Sequence, residues 1–203
     1  MPYFIRIFGQ KNPNIHLDDL YKAVAERKIN GVNLEITGDK TAADWDLLLV
    51  KKGRGKVLAQ IERNTKSDLL MGDEIEEFRE DIAQAKPQTT VQWLNAFFDK
   101  TEVIYAFQIE EKAFEDDNYE VIDALHSVIR GKTQGITQDD ETGFMNERGY
   151  YILWYEQDEE GGGVQFGKLP VAVLDSKGNW QGFDLDMKNE QHWKTFLAGK
   201  VIS

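Results

Sequence analysis

The chain has 203 residues, no cysteine and a formal net charge of −12. That length makes one large domain or two small packed ones, and 41% hydrophobic residues with eleven Phe and five Trp suffice for a core. Without cysteine, disulfides, thiolate nucleophiles and cysteine-based zinc or iron–sulfur sites are excluded, and so acidic a chain disfavours nucleic acid and anionic membranes as partners.

The charge is unevenly spread. Residues 1–66 carry 12 Lys/Arg against 8 Asp/Glu, and residues 67–203 carry 12 against 28. A solubilising surface accounts for this, and so does an acidic face that docks a basic partner. The first residues lack a basic stretch followed by an apolar run, and nowhere do about 20 apolar residues follow one another. A cytoplasmic location is the expectation.

Tyr3-Phe-Ile-Arg-Ile-Phe8 predicts a strand. A helix follows over Asn14–Lys28, with Leu17, Leu20, Tyr21 and Val24 on one face and Asp18 and Asp19 in its first turn. Gly31 stops it, and Val32–Ile36 alternates as a strand. Trp45–Lys51 and Lys56–Glu62 predict a hairpin across Lys52-Gly53-Arg54-Gly55. Met71, Ile75, Phe78 and Ile82 mark the buried stripe of a helix over Gly72–Gln84. Pro87 breaks the chain, and Thr89 or Thr90 is the expected cap of a helix carrying Val91, Leu94, Phe97 and Phe98.

From Glu102 a similar order of elements recurs. Val103–Ile109 predicts a strand, Glu110–Asn118 an acidic loop, and the stripe Val121, Ile122, Leu125, Val128, Ile129 a helix ending near Gly131. Gly135–Gln138 is extended, and Tyr150–Tyr155 is a strand apolar on both faces. Val171–Asp175 and Gln181–Met187 predict a hairpin, and Asn189–Ala198 a last helix. The fold class is therefore α+β, with antiparallel or mixed sheets and four to five helices. Two pseudo-repeated β-α-β-β-β-α halves, residues 1–86 and 102–203 joined by a bridging helix over 87–101, match the element order, as does an architecture without duplication.

No catalytic constellation is recognisable. His16, His126 and His192 form neither H-x-x-x-H nor H-x-H, and no serine sits in G-x-S-x-G. The glycines fit neither a dinucleotide nor a P-loop pattern; Gly161-Gly162-Gly163 predicts an exposed hairpin loop beside carboxylates. The acidic runs lack the ligand alternation of a calcium loop. No cofactor or metal is assigned. The reading is a non-enzymatic protein-binding module, of the immunity or regulatory type, that presents carboxylates to a basic protein. Its candidate residues are Asp116, Asp117, Asp139, Asp140, Glu141, Asp158, Glu159 and Glu160, on a face formed by Glu110–Asp123, Asp139–Glu141 and Asp158–Glu160. The alternative is an enzyme or small-molecule binder with an aromatic and carboxylate pocket between the halves, for which Tyr151, Trp154 and Tyr155 are the candidates.

Overall fold

The computed structural model describes residues 3–38, 40–155 and 167–202. It is an α+β protein, with five α-helices and ten strands in mixed pairing among the described residues. The chain divides into two compact units, each discontinuous in sequence: residues 1–73 with 101–140, and residues 74–100 with 141–203. Among the described residues, no helix is long and apolar enough to cross a membrane.

The first unit contains strands β1 (Tyr3–Gly9), β2 (Val32–Ile36), β3 (Leu47–Lys52), β4 (Lys56–Thr65), β5 (Val103–Ile109) and β6 (Gly135–Asp139), in the order β6-β1-β5-β4-β3-β2. Every pairing is antiparallel. Helices α1 (Leu17–Glu26) and α4 (Tyr119–Thr133) lay Leu20 and Val24, and Val121, Ile122, Leu125 and Ile129, into one core with Ile5, Ile7, Val50, Ile61, Tyr105 and Phe107 of the strands. Alternation explains the strand residues and the 3.6-residue period the helical ones. Trp45, expected to lead β3, instead precedes it; its indole is buried and donates to the Ile15 carbonyl at 2.8 Å. A buried indole N–H demands such a partner, and meeting it bends the chain off the strand path.

Gly9 and Gly135 lie opposite each other on β1 and β6. A Cβ on Gly9 would stand 2.6 Å from Thr133 Cβ, and one on Gly135 2.6 Å from the Ile7 side chain. Gly135 is thus required by close approach rather than by a turn. Helix α4 runs past the exposed Gly131 and ends on Gln134, whose backbone is left-handed at φ 52.

The second unit contains β7 (Gly143–Met145), β8 (Tyr151–Trp154), β9 (Lys168–Leu174) and β10 (Trp180–Asp186), in the order β10-β9-β8-β7, with β8 and β9 parallel. Helices α3 (Gln88–Phe98) and α5 (Glu190–Leu197) and most of α2 (Leu69–Ile82) belong to it. Phe144 is fully buried and meets Phe78, Phe98 and Tyr155 edge-on, at 5.9, 5.9 and 6.3 Å between ring centres. A second cluster joins Val171, Val173, Leu185 and Phe196 to Tyr151, Trp154 and Trp193. Thr90 does not cap α3: it is buried inside the helix, and Pro87 occupies the N-cap. Asn189 caps α5, its side chain accepting from the backbone N–H of Gln191 and His192.

Candidate protein-binding face

The acidic stretch after β5 is a built corner. Glu110 N–H donates to the Leu58 carbonyl at 2.9 Å as β5 ends, and a single 3-10 turn covers Glu111–Phe114. Ala113 is fully buried and anchors the turn. Asp116 takes a left-handed backbone at φ 52, which an aspartate tolerates better than most residues. The Asn118 amide, buried behind it, donates to the Lys112 carbonyl at 3.0 Å. Helix α4 then starts, and Val121 drops into the core.

Pinning Ala113 and Asn118 inward turns the residues beside them outward. Phe114 is 54% exposed and Tyr119 37%, and their rings stack at 5.5 Å with an interplanar angle of 22°. Tyr3 closes the cluster edge-on to Phe114 at 5.7 Å. Around these rings the segment 110–123 holds seven carboxylates and one lysine. Glu115 pairs with Lys56 at 3.6 Å and Asp123 with Arg27. Among the described residues, no cation pairs with Asp116, Asp117 or Glu120, all three exposed. The result is an exposed apolar contact in a segment that also carries three exposed, unpaired carboxylates.

Asp139 and Asp140 have different surroundings. Asp139 is 7% exposed and accepts from the Tyr3 hydroxyl. Asp140 is ion-paired with Arg6, which also donates to the Gln138 side chain at 3.0 Å. Through Tyr3 the fold thus joins Asp139 to the aromatic cluster, from behind. Glu141 is exposed and belongs to the second unit. Asp158, Glu159 and Glu160, with the triple glycine that follows them, lie outside the described residues.

Part of the uneven charge of the sequence is compensated inside the first unit. Residues 1–73 carry 12 Lys/Arg against 10 Asp/Glu and residues 101–140 carry 3 against 10. Ion pairs tie the two segments: Arg6–Asp140, Arg27–Asp123, Lys56–Glu115, Lys66–Glu102 and Lys132–Asp19. Most of the segment's remaining unpaired charge lies near Phe114 and Tyr119.

Behind the face, His126 of α4 shares a hydrogen bond of 3.0 Å with Thr137 Oγ1 and meets Phe107 edge-on. Burial, helped by the nearby Arg130, pushes its pKa down to about 4, so the ring is neutral at pH 7. Half-buried and packed against Phe107, it belongs to the α4–β6 contact. No group of three His, Asp or Glu side chains among the described residues could hold a metal ion.

Of the aromatic candidates, Trp154 and Tyr155 line a cavity of about 350 Å³ with Asp81, Gln84, Lys86 and Leu197, all within the second unit. Tyr151 packs edge-on against Trp154 at 4.9 Å. Sequence reasoning passed over Phe114 and Tyr119, and the available signal was two aromatics embedded in a run of carboxylates. No family model, curated protein or solved structure matches the chain.

Proposed function

We propose that this protein is a non-enzymatic binding module that captures a basic protein on the face built by the segment 110–123. One observation carries the reading: a stacked, solvent-exposed Phe114–Tyr119 pair set among unpaired carboxylates. A partner that covers the rings gains apolar burial and, with a lysine or arginine over them, a cation–π contact. The surrounding carboxylates speed encounter with a cationic surface and reject acidic ones. Such a face repels nucleic-acid phosphates and anionic lipid. The lack of cysteine suits a reducing cytoplasmic setting. An immunity-type or regulatory factor acting on a basic enzyme fits this chemistry.

The test is affinity capture by the full chain at low and moderate salt, with Phe114→Ala and Asp117→Lys as variants. The reading expects a basic protein captured by the wild type, lost from both variants and weakened by salt. Capture that survives both substitutions contradicts it. A second reading, small-molecule binding in the Trp154–Tyr155 cavity, has the aromatic and carboxylate lining in its favour. It predicts that a Trp154→Ala variant loses a ligand-dependent fluorescence change that the Phe114→Ala variant keeps.

A further inference from the structure

The first unit holds a second feature, far in character from the acidic face. A cleft of about 560 Å³ opens between the end of β4, the residues before β3, and the loop after β1. Its volume falls in the roughly 300–1,000 Å³ range of small-molecule sites. Arg63 forms its floor. The guanidinium donates through Nε and Nη2 to the Asn12 side chain at 3.2 and 2.7 Å, and Nη1 lies 3.5 Å from Asp44. Only 11% of the Arg63 side chain is exposed. Opposite it on β5 is Tyr105, buried and packed edge-on against Trp45 at 5.6 Å, so the floor rests on the core.

The walls are equally occupied. Lys40 pairs with Asp46 at 2.9 Å, and Asp68 accepts from both the backbone N–H and the hydroxyl of Thr65, at 2.7 and 2.9 Å. Those two hydrogen bonds hold the Asp68 carboxyl below the usual carboxylate range. Every described charged group that lines the cleft therefore already has a partner.

That balance decides the class of ligand. Among the described lining residues two cations stand against three carboxylates, so a phosphate or a carboxylate would be repelled. A cationic ligand would have to displace Lys40 or Arg63 from its carboxylate. A neutral ligand with many hydroxyls breaks no pair: it accepts from Arg63, Lys40 and Asn12 and donates to the outer lone pairs of Asp44, Asp46 and Asp68. Hydrogen bonds to ionised groups are the strong ones, and side chains already locked in pairs lose little freedom when they make them. At the rim Leu70 is 70% exposed, an apolar surface for the C–H face of a sugar ring. We propose that the Arg63 cleft is a binding site for a neutral mono- or disaccharide.

The test is an amide NMR titration of the full chain with glucose, galactose, N-acetylglucosamine, maltose and cellobiose, and with inorganic phosphate and spermidine as charged probes. At least one sugar is expected to give saturable shifts confined to the amides of Asp44, Asn64, Thr65 and Ser67, with neither charged probe doing so. Asn12→Ala, which leaves the folded spectrum intact, weakens that binding about tenfold by removing one partner of a charge-assisted pair. Arg63→Met abolishes it. Because Arg63 is largely buried, a misfolded Arg63→Met variant shifts the decision to Asn12→Ala. No saturable shift with any of the five sugars, or shifts at these amides with phosphate or spermidine instead, would overturn the proposal. Phe114→Ala leaves the titration unchanged, so this site stands or falls apart from the protein-binding face.

Discussion

The segments 110–123 and 139–140 look alike as sequence, two short acidic runs at the ends of strands, yet the fold uses them in opposite ways. In the first, Ala113, Asn118 and Val121 occupy the interior and push the carboxylates and two aromatic rings into solvent. In the second, Asp139 lies on β6, where it is buried against Tyr3, and Asp140 is held by Arg6. The difference lies in what flanks the charges. A loop with apolar residues at spaced positions can turn its acids outward, whereas a strand hydrogen-bonded into a sheet delivers side chains to both faces whether or not they are apolar. Negative charge in a sequence therefore marks a candidate face only when the local backbone leaves it free.

The sharpest way to break this contrast is charge reversal on each side. Asp139→Lys places an ammonium where a carboxylate is buried and removes the carboxylate that accepts from the Tyr3 hydroxyl. The expected cost is about 3–5 kcal/mol, by urea denaturation. Asp117→Lys, in solvent, is expected to change stability by no more than about 0.5 kcal/mol. Equal losses at the two positions would erase the distinction.

Next in size is the pH response of the contact behind the face. With a pKa of about 4 in the fold against the ordinary 6.5 of a free imidazole, His126 is protonated in the unfolded chain at a pH where the fold still refuses the proton. Its contribution is therefore complete above pH 6.5, declines as the pH falls towards 4, and amounts to up to about 3 kcal/mol. His126→Gln should flatten that part of the stability curve between pH 7 and 4 without altering partner capture. A wild-type slope that survives the substitution would assign it to other groups.

At Phe114 a small stability change should accompany a large effect on binding. Phe114→Ala removes a ring already half in solvent, so stability should fall by less than about 1 kcal/mol, while affinity for a basic partner falls by about 2 kcal/mol, near thirtyfold. Loss of stability without loss of affinity would make Phe114 a structural residue.

Much of the fold was legible because its segments keep one period. The alternation of Tyr3–Phe8, the apolar run Val103–Ile109 and the stripe of α4 mark β1, β5 and a core helix. β7 escaped notice because it has three residues, a register shift after Phe144, and a Gly143 whose added Cβ would stand 2.3 Å from the Leu153 carbonyl oxygen. No periodicity can emerge from so short a strand. The expected cap at Thr89 or Thr90 failed because Thr90 packs inward, and burial outweighs a capping preference. At the candidate face the carboxylates were visible and their fates were not. Phe114 and Tyr119 carry the same letters as core aromatics, and only the burial of Ala113 and Asn118 sets them outside. The Arg63 cleft draws on residues from 12 to 70, a convergence that exists only once β4 has paired.

Hydrogen–deuterium exchange of the full chain, with and without the captured basic partner, tests the central contrast most directly. New protection confined to 110–123, with 136–140 equally slow in both states, is the predicted result. Protection gained at 139–140 while 110–123 exchanges as before would contradict it.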